Sequence, residues 1–543
     1  SVMRNMEFKR EDHVHQVVLR GLDDRIGQMA HEFASVFSFF LPEYTPDGVL
    51  TTASLVSPEA QLLDMPKTVS LLNGLFSMIK FGLGSCYDGF GKSAGSGSCR
   101  DNGSYNRASG TLKYEPSSTS STEIINELAT LMTSGRLSER NRNIIREAFE
   151  NAENQESGLR IAQQLIITTP EFQTTNPTKL SEENRELPKG ITYSDRPYKA
   201  VIFLMFGGGC DSFNMLTPHT CTPEEGKDDL FKQYLDVRQS VALQQHTLHQ
   251  IPADNQVCDV FGIHPNLPVL AKLYNEGSAL FFANTGALDD YADETNYREK
   301  SVTNLFAHNT MQNAAKKIDP YKEIRGSGVL GRMNDVLTRN GFKTSTTSTD
   351  SVSIALVGQP GVSSDPIIVS KHGVDEFNPE SSDQKMSQED MFLNIRALNN
   401  STQVDSGFFG ETWSSKLIKS LVKNSELYNI LEATQTNIMF PTSELGSQLE
   451  VVARMMKAHK DRGVDRDMFY VKLGGFDTHA DVEEKLADKF EEVNLSIGAF
   501  AEELKLNLLW DDTTLVQHSD FARTLIPNGG EGTDHAWGGN YFM

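Results

Sequence analysis

No stretch of this 543-residue chain stays apolar long enough to cross a bilayer; the longest runs resemble VIFLMF, far short of the roughly 20 residues a spanning helix needs. An apolar signal segment is missing as well. The chain opens Ser-Val-Met-Arg, which is read as a cytosolic start or, preferably, as a piece of a longer precursor whose leader is absent. Basic residues are scarce: 50 Lys and Arg face 73 Asp and Glu, a net charge of −23. That argues against duplex nucleic acid as a partner, because binding it needs clustered cations to neutralise phosphates. The same charge slows anionic substrates unless bound cations reverse the local field. Its ordinary reading is a solvated acidic surface. No internal repeat is evident.

Cysteine is sparse too, with five in all. Their placement says more than their number. Cys86 and Cys99 bracket CYDGFGKSAGSGSC, a Gly/Ser-rich loop that buries little and that a disulfide would restrain. Cys221 and Cys258 make a second plausible pair, leaving Cys210 beside Asp211. Two bridges imply an oxidising compartment and hence secretion; free buried thiols are the alternative. Sequons at Asn102, Asn400 and Asn494 permit glycosylation but arise often by chance.

What is present divides the chain in two. A 38% hydrophobic and 9% aromatic content suits an ordinary globular protein, and the length favours two or more domains. Residues 1–175 read as an all-α domain. EDHVHQVVLRGLDDRIGQMAHEFASVFSFF places Val17, Leu19, Leu22, Ile26, Met29 and Phe33 at helical spacing. The segment 65–82 repeats that pattern, and 83–118 reads as a long loop. Ser120 with Glu123 forms a capping-box pattern, and Ser138 opens the next helix. Residues 176–197, polar and proline-bearing, read as a linker.

From 198 to 543 the pattern becomes strand–helix alternation. Strand-like runs fall at 199–206, 279–284, 352–357, 468–473 and 514–518, with amphipathic helices between them. The clearest helix, 481–508, puts Val482, Leu486, Phe490, Val493, Ile497, Phe500 and Leu504 on one face. Such alternation predicts an α/β fold, a mostly parallel sheet with helices on both faces. Residues 342–352 and 371–388, low in apolar content, read as surface loops.

Three predicted strand ends carry the chemistry: VIFLMFGGGCDSFN, MFYVKLGGFDTHAD and LVQHSDFARTLIPNGGEGTDHAWGG. In parallel α/β sheets ligands bind beyond the carboxyl ends of the strands. Asp211, Asp477, His479, Asp520 and His535 delivered to one crevice would form a divalent-metal cluster. Each has a plainer reading. Asp211 would serve as a helix cap, and Asp477 with His479 as an ordinary turn. Arg523 is a candidate for holding an anionic group bidentately, or else a salt bridge to Asp520. His308 and His518 are further candidates or structural histidines. The glycine-rich run before His535 is expensive to order, which points to a metal ordering it.

Together the blocks GGGCDSFNMLTPH, FGIHPNLPVLAKLYNEGSALFFANTG, LFAHNTMQ, GVLGRMNDVL, GGFDTH, SDFARTL and GTDHAWGG resemble the domain-of-unknown-function family 1501, related to the alkaline phosphatase and sulfatase superfamily. Residues 15–174 resemble the end of family 1800 of the same kind, through FFLPEYTPDG, LVSPEAQL, LNGLFSMIKFGL and IITTPEF. The resemblance implies that the chain starts partway into the one domain and stops before the end of the other. It also implies a two-metal phosphate- or sulfate-ester hydrolase, with zinc, calcium or magnesium. Asp211 and Asp520 would serve one ion, and Asp477, His479 and His535 the second. Anionic ester or polysaccharide substrates would follow.

Departures from the family pattern are specific. CTPEE at 221–225 lacks the arginine of the sulfatase Cys-x-Pro-x-Arg pattern. Ala307 precedes His308 where the family often shows serine, leaving Thr310 and Ser301 as nearby hydroxyls. Phe521 follows Asp520 where phosphatases carry a histidine. The alternative expectation is therefore a catalytically degenerate extracellular assembly or adhesion protein reusing the fold.

Overall fold

The computed structural model describes residues 65–84, 110–175, 195–223, 229–287, 292–301, 305–319, 327–350 and 408–543, with short pieces between them and near the N-terminus. Nearly all of the predicted helix at 11–40, the Cys86–Cys99 pair, Asn102 and most of the linker lie outside the described residues. The chain forms two compact units, one of residues 1–39, 59–190 and 374–429, the other of 40–58, 191–373 and 430–543.

The first unit is mainly helical. Helices Met65–Phe81, Ser121–Thr133, Glu139–Glu150 and Gln155–Thr168 bury Leu72, Phe76, Ile124, Leu128, Ile145, Ile161 and Leu165 in one core. Ser138 caps its helix by accepting from the Asn141 amide, as expected, whereas Ser120 makes no side-chain cap bond, so the predicted capping box is not formed. The strands Glu7–Arg10 and Gly110–Lys113 pair antiparallel, which interrupts the expected all-α character. A further departure is topological. Helices Gln388–Asn399 and Phe408–Ala433 contribute Met391, Ile395, Leu398, Trp413 and Leu417 to this same core. Residues 374–429 thus belong to the helical unit although they lie between segments of the α/β unit.

The second unit is built on five parallel strands: β1 (Lys199–Phe206), β2 (Thr344–Ser348), β3 (Ile367–Ile368), β4 (Arg466–Leu473) and β5 (Thr513–Ser519). Their order is β5-β1-β4-β2-β3, every neighbour parallel. Successive side chains of a strand point to opposite faces. Phe203 and Met205 pack with Met468, Tyr470 and Leu330 on one face; on the other Phe206 stacks on Phe476 at 4.4 Å, which in turn touches Phe490 of helix Val482–Leu506. Burial on both faces is what the apolar runs of β1 and β4 require. The seven apolar positions predicted for that last helix are all buried.

Two strand expectations fail. VSIALV at 352–357 forms a 3₁₀ turn at Ile354–Leu356, and the strand is instead TSTTS at 344–348, within a predicted surface loop. Threonine is β-branched and suits a pleated buried surface, yet it counts as polar in a hydrophobic pattern. The run at 279–284 does form a strand, Phe281–Thr285, but it pairs antiparallel with Gly539–Phe542 outside the central sheet. A further antiparallel sheet, Leu216–Cys221, Cys258–Ile263 and His249–Pro252, carries the disulfide Cys221–Cys258 between directly opposed residues, while Cys210 is free and buried. Among the described residues no helix is long and apolar enough to cross a membrane. The Asn494 sequon is poorly placed for a glycan, since Asn494 is nearly buried and its oxygen caps the Val269 amide at 2.8 Å.

Burial also gives the unit an acid-sensitive residue. His264 lies edge-on to Phe490 at 5.0 Å, and its Nδ1 accepts from the Asn266 amide. Burial, aided by nearby His249, pushes its pKa from 6.5 down to about 4. Between those values the unfolded chain binds a proton that the folded chain does not, so stability falls as pH drops through that window. The expected loss between pH 7 and pH 5 is roughly 2 kcal/mol. His264→Asn keeps an acceptor for Asn266 and should remove this component from the pH dependence of the unfolding midpoint; an unchanged dependence would contradict it.

Candidate metal centre

Register sets the site. Phe206 of β1 pairs with Leu473 of β4 and with Ser519 of β5, so all three strands end level and release their loops at one edge. Asp211, Asp477 and Asp520 therefore leave from neighbouring strand ends. The loop after β5 continues through Ala522–Arg523, runs out, and returns as His535–Ala536 antiparallel to it, which sets His535 beside Arg523. His308 arrives separately as the first residue of helix His308–Lys317.

Glycine lets these loops touch backbone to backbone. Gly208 has φ +119°, and a Cβ there would lie 2.5 Å from the Asp477 amide; one on Gly532 would lie 2.0 Å from the His479 carbonyl carbon. The run before His535, which from sequence an ion was expected to order, is also tied down by the protein's own hydrogen bonds. Thr533 donates to the Thr478 carbonyl and Val482 to that of Glu531. Asn528 accepts from Gly530 and Gly532 and donates to the His479 carbonyl.

Four side chains converge. His308, Asp477 and His535 each place one donor atom within 4.8 Å of the others. His479 Nε2 lies 3.1 Å from Asp477 Oδ1 and 3.2 Å from His535 Nε2. The Nε2 atoms of His308 and His535 are 3.6 and 3.4 Å from the same carboxylate oxygen.

The far nitrogen of every ring is occupied. Nδ1 of His308 bonds Asp520 Oδ2 at 2.8 Å, that of His479 bonds Asp534 Oδ1 at 2.9 Å, and that of His535 bonds the Phe306 carbonyl at 2.8 Å. Ionised carboxylates and carbonyls only accept, so these partners assign the proton to Nδ1 in each neutral ring. Arg523 Nη1, which can only donate, faces His479 Nε2 at 3.4 Å and supports the same tautomer. The three Nε2 atoms then gather around Asp477 Oδ1, at 3.1 to 3.6 Å from it, two of them 3.2 Å apart. Neutral imidazoles so arranged repel, and a cation between them removes the repulsion. Rings oriented by carboxylates and a carbonyl behind them are the usual support of metal-ligating histidine. Asp477 is held ionised: burial works against it but is outweighed by its bond to Arg523 and by the charge of Arg523, to which His308 and His479 add when they are protonated, leaving the carboxyl below its ordinary range. The mouth is open, for the Asp477 and His479 side chains are 47% and 48% exposed.

The structure does not bring every predicted residue to this point. Asp211 is fully buried in an ion pair with Arg238 at 2.7 Å and accepts from Thr533 Oγ1. Asp520 stands one step back, its Oδ2 accepting from His308, Gln312 and the Gly208 amide. Arg523 is fully buried and spends its donors on Gly208, Gly209, Phe476, Thr533 and Asp477, so it organises the loops instead of presenting a fork to a substrate. Its partner is Asp477, not the Asp520 considered from sequence. Thr310 donates to the Ala307 carbonyl at 3.1 Å within its own helix start. Burial pushes the Cys210 thiol up, away from nucleophilic use. Gln312, Asn528 and Arg238 were invisible to sequence reasoning because none carries a metal-ligand signature.

A family model described as protein of unknown function (DUF1501) matches residues 198–543. The chain belongs to the DUF1501 family. Within the DUF1501 match lie all the residues of the metal centre and also the 374–429 insertion that joins the helical unit. No curated protein and no solved structure is significantly similar to the chain.

Proposed function

We propose that the DUF1501 domain binds one divalent transition ion through His308, His479 and His535, with Asp477 beside them, and uses it to hydrolyse phosphate or sulfate esters. The observation that supports this is the set of three imidazoles whose Nδ1 atoms are all anchored and whose Nε2 atoms all lie within 3.6 Å of Asp477 Oδ1. Imidazole donors suit zinc and similar ions better than calcium or magnesium, which prefer oxygen. Three protein ligands with an open fourth position, three histidines among the known sets, mark a catalytic zinc, whereas structural sites are closed. One site replaces the two expected from the superfamily resemblance, since Asp211 is paired with Arg238 and Asp520 supports His308.

When bound, such an ion supplies Lewis acidity toward an ester oxygen and a water of lowered pKa. The protein's own part is orientation. Asp520 and Asp534 fix the rings of His308 and His479, and Arg523 fixes Asp477. Neither of the two nearby candidates is poised as a nucleophile: Cys210 is buried and Thr310 bonds its own helix start. Water is then the attacking group.

The Cys221–Cys258 disulfide supports passage through an oxidising compartment, and secretion is part of the proposal. The second reading, an extracellular assembly protein reusing the fold, is favoured by Arg523 being spent on the protein. Turnover of aryl phosphate and aryl sulfate separates the two. Activity abolished by a chelator and by Asp477→Ala is expected; a metal-loaded chain without turnover would leave the assembly reading.

A further inference from the structure

The loop 524–533 links Arg523 to the two residues that complete the cluster, Asp534 behind His479 and His535 within it. Arg238, at the end of helix Leu230–Arg238, is fully buried, and its guanidinium reaches one end of that loop directly and the other through Asp211. Its Nη1 donates to the carbonyls of Thr524 and Leu525 at 3.2 and 3.3 Å, where the loop departs. Its Nη2 donates to Asp211 Oδ2 at 2.7 Å, and the same oxygen accepts from Thr533 Oγ1 at 3.1 Å, where the loop returns.

A buried ion pair is a costly way to stabilise a core, because two desolvated charges are often no better than apolar residues of equal volume. Here the cost is raised by Asp211 Oδ1 and Arg238 Nε, which find no hydrogen-bond partner. Cap or core packing would not require the pair to touch both loop ends. We infer that Asp211 and Arg238 are positioning residues for the metal centre, a clamp that sets the separation of loop positions 524 and 533 and so the placement of Asp534 and His535. This rests on the metal reading of the site and extends it to residues that touch neither the ion nor a substrate.

Thr533 gives the mildest test, because losing its hydroxyl leaves both charges paired. Thr533→Val is expected to weaken zinc binding about 10-fold or more, the usual cost of losing an outer partner of a metal ligand, and to alter the visible spectrum of the cobalt(II)-loaded chain. Thr533→Ser, which keeps the hydroxyl, should restore both. Asp211→Asn, if it folds, should weaken zinc further. Wild-type zinc affinity and an unchanged cobalt spectrum in Thr533→Val would overturn the clamp, reducing the pair to a structural contact. A wild-type chain that binds no zinc would fail differently, refuting the metal centre itself.

Discussion

Replacing His535 by alanine is expected to lower zinc affinity by more than about 100-fold while the chain stays folded. Altering an outer partner of a metal-binding histidine commonly costs about 10–100-fold, and deleting a donor removes the bond itself. The Nε2 of His535 also lies 3.2 Å from that of His479. Its loss therefore removes one of the lone pairs that make a cation favourable there. The ring lies at the mouth of the site and is a quarter exposed, so truncation opens little of the core. Titration against a chromophoric chelator, with the melting temperature as control, measures the effect. If the three imidazoles were only a protonated cluster balancing Asp477, His535→Ala would leave zinc affinity as it was.

Arg523→Lys should cost roughly 3 kcal/mol or more of stability, although it keeps the charge. Arg523 bonds Gly208, Gly209, Phe476 and Thr533 carbonyls as well as Asp477, from a fully buried position. A lysine has three donors on one atom and cannot span those acceptors. Several buried carbonyls would then be stranded, at about 1–3 kcal/mol for each unsatisfied group. Chemical denaturation compares the two proteins directly. An arginine whose purpose was to hold a substrate anion would instead give a lysine variant of near-normal stability with altered substrate binding.

The sheet was legible because β1 and β4 are continuous apolar runs ending in glycine and aspartate, and because Val482–Leu506 keeps its apolar spacing over seven turns. β2 was not legible, for it is written TSTTS and its burial comes from tertiary packing alone. Helices Gln388–Asn399 and Phe408–Ala433 escaped for a related reason, since membership of a core is a property of the folded chain. At the site, the strand ends predicted that Asp477, His479 and His535 would meet. The part of Asp211 could not be read, because a carboxylate at a strand end looks the same whether it faces an ion or an arginine 27 residues further on. His308 was weighed as a catalytic candidate, and its partner Asp520 as a ligand. Only the placement of helix His308–Lys317 over the ends of the strands shows the one supporting the other.

Zinc-edge anomalous diffraction from crystals grown with zinc tests the central claim most directly. One peak is expected at about 2.0–2.1 Å from Nε2 of His308, His479 and His535, with Arg238 still on Asp211. No peak among those three rings, or an ion held instead by Asp211, would contradict it.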